Sequence, residues 1–311
     1  MKILVTGAGG FLGAAVTHAL LARGDAVIAF DTRLSFPHDA PASQLTQVVG
    51  DITDMAALAR VVLAHRLDVV FHAAAIVGVL SSLASPVHIV RVNVEGSLNV
   101  FEAMRLAGIR RCVHVSSEEA YGVFHAAPIP ETHPLDPVLP YGICKATVEQ
   151  LGRTYRDLHG LEVINLRTSW VYGPGLPRAR VPKVLIEAAL SGHALHIPSG
   201  ADAAIDHTYI DDFVTGALKA IDHPTHRFDA YNIASGEATS VARMIERVKE
   251  LVPGAKLSVG PGPYRHGDTV ESVRKGALDV SRAKAELGWA PRYDMRAGLE
   301  AYLTALQAAR H

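Results

Sequence analysis

Tyr141 and Lys145 stand four positions apart in Tyr141-Gly142-Ile143-Cys144-Lys145, so a helix there projects a phenol and an ammonium from one face. An adjacent Lys145 cation favours phenolate, which predicts a Tyr141 pKa lowered toward the range useful for general acid/base work. Upstream, a β-branched run ends in Val115-Ser116-Ser117-Glu118-Glu119-Ala120-Tyr121-Gly122. Ser117 can hydrogen-bond a reacting hydroxyl or carbonyl beside Tyr141, and Ser116 is the lesser candidate. In a cleft, the adjacent carboxyls Glu118 and Glu119 can take separated pKa values and opposite roles. Alternatively, one or both cap a loop or face solvent.

A second constellation opens the chain. Thr6-Gly7-Ala8-Gly9-Gly10-Phe11-Leu12-Gly13 follows a short β-branched run and precedes a helical pattern. Glycines at 7, 10 and 13 let the backbone turn tightly, approach a pyrophosphate and pack helix on strand, while the helix N-terminus offers free N–H groups to the phosphates. Asp31 ends the second predicted strand, 18 residues beyond Gly13, where a carboxylate accepts ribose hydroxyls and repels a 2′-phosphate. NAD is therefore the expected cofactor, and its positive nicotinamide would further favour a Tyr141 phenolate. Arg33 is the one feature that speaks for NADP, and it also reads as a surface charge. Asp51, in Gly50-Asp51-Ile52, is either a partner of the adenine amino group or a helix cap, a role open to Asp54 as well. Small residues at Ala73, Ala74 and Ala75 let the backbone pass close to a cofactor, or serve packing. The expected cofactor residues from these patterns are Gly7, Gly10, Phe11, Leu12, Gly13, Asp31, Asp51, Ile52 and Ala73, with Tyr141 and Lys145.

Positioning these groups requires a particular rhythm of elements. Strand-like runs at 2–6, 26–31, 47–50, 69–73, 112–116 and 163–167 alternate with helical stretches at 10–23, 54–65, 93–107 and 141–159. That is the pattern of an α/β doubly wound parallel (Rossmann) sheet. After Arg167, proline and glycine punctuate shorter elements, with helices at 181–191, 212–221 and 240–251. We expect a dinucleotide-binding domain of residues 1–167 plus 209–228. A smaller, interleaved α+β substrate domain is expected at 168–208 plus 229–311.

Composition narrows the function classes. Of 311 residues, 49% are apolar and 20% charged, and 30 Lys plus Arg balance 31 Asp plus Glu. A net charge of −1 gives no basic footprint for nucleic acid, so a small-molecule partner is expected. No apolar run approaches the roughly 18 residues of a membrane span, and the glycine-broken N-terminus lacks a leader's apolar region, so a cytoplasmic protein is expected. Two cysteines without paired spacing argue against a disulfide framework, and 16 histidines without an HExxH-like cluster give no metal site. His114, alternating with Val113 and Val115, reads as a buried, hydrogen-bonded strand residue.

The ordered motifs TGAGGFLG, GDITD, HAAA, NVEGSLNV, SSEEAYG, PIPETHPLDPVLPYGICK, LRTSWVYGPG, TYIDD and RHGD span nearly the whole chain. Together they resemble the extended short-chain dehydrogenase/reductases, the NAD-dependent sugar epimerase/dehydratase group. The resemblance implies a catalytic triad of Ser117, Tyr141 and Lys145, with Asn93 near the nicotinamide and Ser82 near a carbohydrate-type substrate. It further implies that Glu118 and Glu119 resemble the acid and base of sugar-nucleotide dehydratases, and that Trp170 and Arg265 occupy substrate-facing positions. Two residues depart from the pattern: Trp170 replaces the usual Asn, and Ile205 the usual Arg, where relatives meet a diphosphate. Isoleucine cannot replace a bidentate guanidinium, which favours a smaller sugar or sugar acid with Arg265 on its carboxylate, unless Arg178 or Arg180 holds the phosphate instead.

The expected activity is NAD-dependent redox chemistry at a sugar hydroxyl, of epimerase or dehydratase type. The alternatives are an NAD-dependent dehydrogenase of a free sugar or sugar acid, and a catalytically silent NAD-sensing protein. A homodimer is expected, on the reading that the helices from Asn93 and Tyr141 expose Val100, Met104 and Leu151, and the resemblance implies pairing through those helices.

Overall fold

A computed structural model describes residues 1–36, 44–267 and 269–309; Asp268 of the RHGD motif lies outside them. The first half of the chain builds a sheet from strands and intervening helices. Of strands β1 (Lys2–Thr6), β2 (Ala26–Asp31), β3 (Leu45–Val49), β4 (Val69–His72), β5 (Arg111–Ser117) and β6 (Glu162–Thr168), all consecutive pairs except β2 and β3 are separated by helices. Those helices are α1 (Phe11–Ala22), α2 (Met55–Ala64), α3 (Val79–Ala84), α4 (Pro86–Val90), α5 (Gly96–Ala107) and α6 (Pro140–His159), with a π-helical turn at Arg91–Glu95 joining α4 to α5. Asp54 caps α2 by accepting the Ala57 N–H at 2.9 Å, and Gly108 and Gly160 end α5 and α6 in the left-handed conformation that glycine tolerates.

The remaining strands are β7 (Trp170–Tyr172), β8 (Leu195–Ile197), β9 (Ala204–Tyr209), β10 (Ala230–Ile233), β11 (Ala238–Ser240), β12 (Leu257–Val259), β13 (Arg265–His266) and β14 (Val270–Glu271). The remaining helices are α7 (Lys183–Ser191), α8 (Ile210–Asp222), α9 (Val241–Leu251), α10 (Ser281–Leu287) and α11 (Met295–Ala308).

The main sheet has seven strands in the order β3-β2-β1-β4-β5-β6-β10, every pairing parallel. Its central strands are buried on both faces, which is why they read as continuous apolar runs. Ile3 and Val5 point into one core with Val16, Leu20, Phe213 and Trp289, while Leu4 points into the other with Phe30, Leu58, Phe101 and Met104. A third core, built on Tyr172, Ile205, Tyr209, Met244 and Leu299, belongs to the smaller layer of β7, β9 and β11 with α7, α9 and α11.

Two features differ from the sequence reading. The seventh strand, β10, comes from the segment expected in the substrate domain, and Ala283, Leu287 and Trp289 behind it also join the first core. In addition, Val100 and Met104 are not exposed. They are 1% and 0% accessible because α5, packed beside α2 and α6, turns both toward the sheet, and the half-buried Leu151 packs on the same core.

Candidate active site

Beyond the C-terminal ends of β1, β2, β4, β5 and β6 lies a cavity of about 480 Å³, closed on its far side by residues 168–181. This is the edge of an open parallel sheet where ligands bind. One end of it is a cradle that leaves no room for side chains. Gly7 has φ +72°, and a Cβ there would lie 2.5 Å from the Ala74 nitrogen; a Cβ on Gly13 would lie 2.0 Å from the Gly7 carbonyl oxygen. The first turn of α1 carries no acidic residue and no side-chain cap, so its N–H groups remain available to an anion. Asp31 stands at the rim, its carboxylate accepting N–H bonds from Gly9 (3.0 Å) and Arg33 (3.1 Å). Gly10, Phe11, Leu12, Asp51, Ile52 and Ala73 all line the same space. Asp51 spends one oxygen on the Thr53 N–H (2.8 Å) and hydroxyl (2.9 Å), while Asp54 takes the helix-cap role. These residues fit a dinucleotide: a side-chain-free turn for the pyrophosphate and a carboxylate for a ribose.

At the other end, Ser117, Glu119, Tyr141 and Lys145 meet. β5 delivers Ser117 and α6 delivers the other pair one turn apart, with Tyr141 and Lys145 both buried. Lys145 Nζ donates to the Val115 carbonyl at 2.6 Å, lies 3.5 Å from His114 Nε2, and sits 5.9 Å from the Tyr141 ring centre. Burial lowers its pKa to about 8. The expected downward shift of Tyr141 is not found. Burial pushes the phenol up to about 12, opposed by a Ser117 hydrogen bond and by the Arg178 and Arg180 cations. Desolvation outweighs these attractions because a buried phenolate loses the water that would solvate its charge.

Beneath the site, Arg167 and Glu149 form a buried pair at 2.6 Å, with Arg167 also donating to the Tyr121 hydroxyl (3.0 Å) and the Glu131 carbonyl (2.9 Å). Ser116 donates to Glu149 at 2.6 Å, which makes it part of this support. His114 is the buried strand residue expected, its Nδ1 2.8 Å from Asn165 Oδ1. Cys112 and Cys144 are free and buried, and no metal-binding group of His, Cys, Asp or Glu occurs among the described residues.

Four other expected residues lie elsewhere than on the cavity wall. Asn93 does not line the cavity; its amide clamps the Ile76 backbone, accepting its N–H and donating to its C=O at 2.8 Å each, and so fixes the loop that does. Ser82 is on α3 rather than in a loop, fully buried, with its hydroxyl bonded back to Val79 O at 2.7 Å. Glu118 faces inward because successive residues of the 3₁₀ turn Glu118–Tyr121 diverge, leaving Glu119 on the wall. Arg265 stands opposite Glu271 in the β13–β14 pair, half-exposed and 3.6 Å from its carboxylate.

Trp170 does line the cavity, and Ile205 is core rather than wall. Arg178 and Arg180 supply the charge that wall would otherwise lack. Arg178 donates to Val77 O, and Arg180 lies 4.8 Å over the Trp170 ring. Neither has an ion-pair partner among the described residues. Lys275 is a residue that sequence reasoning missed: its Nζ lies 3.1 Å from Glu119 Oε2, and no local pattern signals a contact spanning 156 positions.

Comparison with known proteins agrees with this geometry. The model of the NAD dependent epimerase/dehydratase family matches residues 3–234. The chain is 33% identical over 308 residues to a UDP-glucose 4-epimerase of Mycolicibacterium smegmatis, covering 96% of each. The crystal structure of a UDP-glucose 4-epimerase from Thermotoga maritima with UDP-glucose superimposes with a TM-score of 0.90 at 31% identity, covering 100% of both chains. A UDP-glucuronic acid 4-epimerase from Bacillus cereus, in complex with UDP-glucuronic acid and NAD, gives 0.85 at 26% identity over 99% of this chain and 100% of that one.

Proposed function

This chain belongs to the NAD-dependent epimerase/dehydratase family, and from that premise we propose that it inverts a hydroxyl-bearing carbon of a nucleotide-linked sugar. NAD-dependent redox chemistry on a sugar is the chemistry of the family and of this enzyme. The observation that carries the finer reading is the convergence, in one cavity, of the glycine cradle, Asp31, Ser117, Tyr141, Lys145 and the Arg178 and Arg180 guanidiniums.

In this reading Gly7, Gly10, Gly13 and Asp31 hold NAD, which supplies a hydride acceptor when bound. Tyr141 takes the proton of the sugar hydroxyl, Ser117 donates a hydrogen bond to the same oxygen, and the Lys145 ammonium stabilises the phenolate. Burial holds the Tyr141 phenol near 12, and a positive nicotinamide beside it would act downward, toward the phenolate that proton abstraction needs. Arg178 and Arg180 support an anionic, diphosphate-bearing substrate. They take the place of the guanidinium absent at Ile205 and of the outward-facing Arg265, so the smaller neutral sugar becomes the weaker reading. Glu119 on the wall supports a second reading, in which a carboxylate removes a proton beside the transient ketone and the outcome is dehydration.

The test is incubation with UDP-glucose and with UDP-glucuronate, following product stereochemistry and NADH. An epimer formed without NADH accumulation is expected, and Arg178→Ala should weaken UDP binding. Stoichiometric NADH release would instead make this a dehydrogenase, and tight NAD binding with no turnover of any sugar would make it a sensor. Pairing of two copies through α4 and α6 is supported by the exposed Val87, Val90 and Ile143, and light scattering reporting a monomer at micromolar concentration would overturn it.

A further inference from the structure

Behind the wall that carries Glu119 lies a cluster that neither the cofactor nor the substrate reading uses. Glu118 is 1% accessible, and both of its carboxyl oxygens are buried without a hydrogen-bond partner. Lys275 is itself buried, its side chain 2% accessible, with Nζ 3.1 Å from Glu119 Oε2 and 5.3 Å from the centre of the Phe124 ring. The lysine comes from a segment fastened to the loop after β5: the Phe124 N–H donates to Arg274 O and the Ile129 N–H to Ala277 O, both at 3.0 Å. The backbone is thus held, and the freedom left is that of the lysine side chain.

We propose that Glu118 is a buried switch that competes with Glu119 for the Lys275 ammonium, so that Lys275 is a positioning residue holding Glu119 at the cavity wall only while Glu118 keeps its proton. A carboxylate with no donor is costly to bury, and a neutral acid is far less so. Burial, more than any neighbour, pushes Glu118 up to about 8, and among the charges around it Lys275 and Arg180 act downward while Glu119 and Asp206 act upward. Asp206 is already engaged by Ser169, Ser235, Gly236 and Leu278, and Arg180 lies over Trp170, which leaves Lys275 as the donor to be drawn. Glu119 in turn is faced by Lys275, Tyr141 and His266. Below about 8 Glu118 is neutral and Lys275 stays with Glu119; above it, two adjacent carboxylates share one ammonium and Glu119 loosens.

The structural readout is difference infrared spectroscopy on the NAD-bound protein. A protonated-carboxyl band should be present at neutral pH, be missing in Glu118→Gln, and fade as the pH rises through about 8. Subtracting the Glu118→Gln spectrum separates it from Asp206, which burial also shifts upward. Removing the lysine in Lys275→Met should carry the fading to higher pH, with Lys275→Arg restoring it, and the arginine variant keeps the test open should the methionine variant fold poorly. The kinetic readout rests on the redox reading above: with UDP-glucose or UDP-glucuronate, kcat should fall severalfold above the transition, and Glu118→Gln should remove the part of that fall that loss of the Lys145 proton, also at about 8, does not carry. Identical spectra for the wild type and Glu118→Gln, or an unchanged alkaline fall in that variant, would overturn the switch. The spectra decide it even if neither sugar is turned over, a result that would count against the functional reading alone.

Discussion

Replacing Asp31 by Asn tests how this site chooses between NAD and NADP. The carboxylate lines the cavity and is already oriented by the Gly9 and Arg33 N–H groups at 3.0 and 3.1 Å, so it cannot swing away from a ligand without breaking both bonds. Two unit charges about 4 Å apart repel by about 1 kcal/mol in water and about 4 kcal/mol near a protein surface. For a partly exposed rim we take about 2 kcal/mol, roughly a thirtyfold preference for NAD. A lost ribose bond to a charged acceptor adds about 1.5 to 3 kcal/mol. Asn keeps one acceptor oxygen for the turn but removes the charge, so in Asp31→Asn the NAD preference should shrink by about tenfold or more, through tighter NADP and weaker NAD. Isothermal titration calorimetry with both nucleotides at fixed ionic strength measures this directly. Equal affinities in the wild type, or a ratio unmoved by Asp31→Asn, would refute the argument and turn attention to Arg33.

Tyr141→Phe should lose turnover by roughly 10²- to 10⁴-fold while NAD affinity measured by calorimetry stays nearly unchanged, because the hydroxyl serves proton transfer; appreciable residual turnover would count against that role. Lys145→Met should be inactive yet more stable. Burial that lowers Lys145 from 10.5 to about 8 makes its ammonium costly by about 3 kcal/mol, and losing the bond to Val115 O returns about 1 to 2. That leaves a gain of about 1 to 2 kcal/mol in urea unfolding, full below about 8 and fading as the pH rises toward 10.5; a variant less stable than the wild type at neutral pH would contradict it. Arg167→Met leaves Glu149, at 0% accessibility, with only the Ser116 hydroxyl at 2.6 Å and Arg153 at 3.5 Å, and should cost about 3 kcal/mol, whereas adding Glu149→Met should recover most of the loss. A double variant as unstable as the single one would show that the pair matters for more than its charges.

What the sequence by itself determined follows from short-range rules. The glycines at 7, 10 and 13 are required by local backbone geometry, Tyr141 and Lys145 by one helical turn, and the apolar runs of β1 to β6 by burial on both faces of a parallel sheet. For that reason the sheet, the glycine cradle and the Ser117, Tyr141 and Lys145 grouping were legible before any coordinates. Only the tertiary structure decided matters that depend on which distant segments pack together. Whether Val100 and Met104 face solvent or core depends on the helices beside α5, and the seventh strand had to be assigned by its partner β6 rather than by its own four residues. Glu118 and Glu119 are neighbours of one type in sequence, and only the 3₁₀ turn sends one into the interior and the other to the cavity, where a lysine 156 positions away meets it. The direction of the Tyr141 shift was likewise beyond the sequence, because spacing reveals which charges can approach a phenol but not how much water its surroundings exclude.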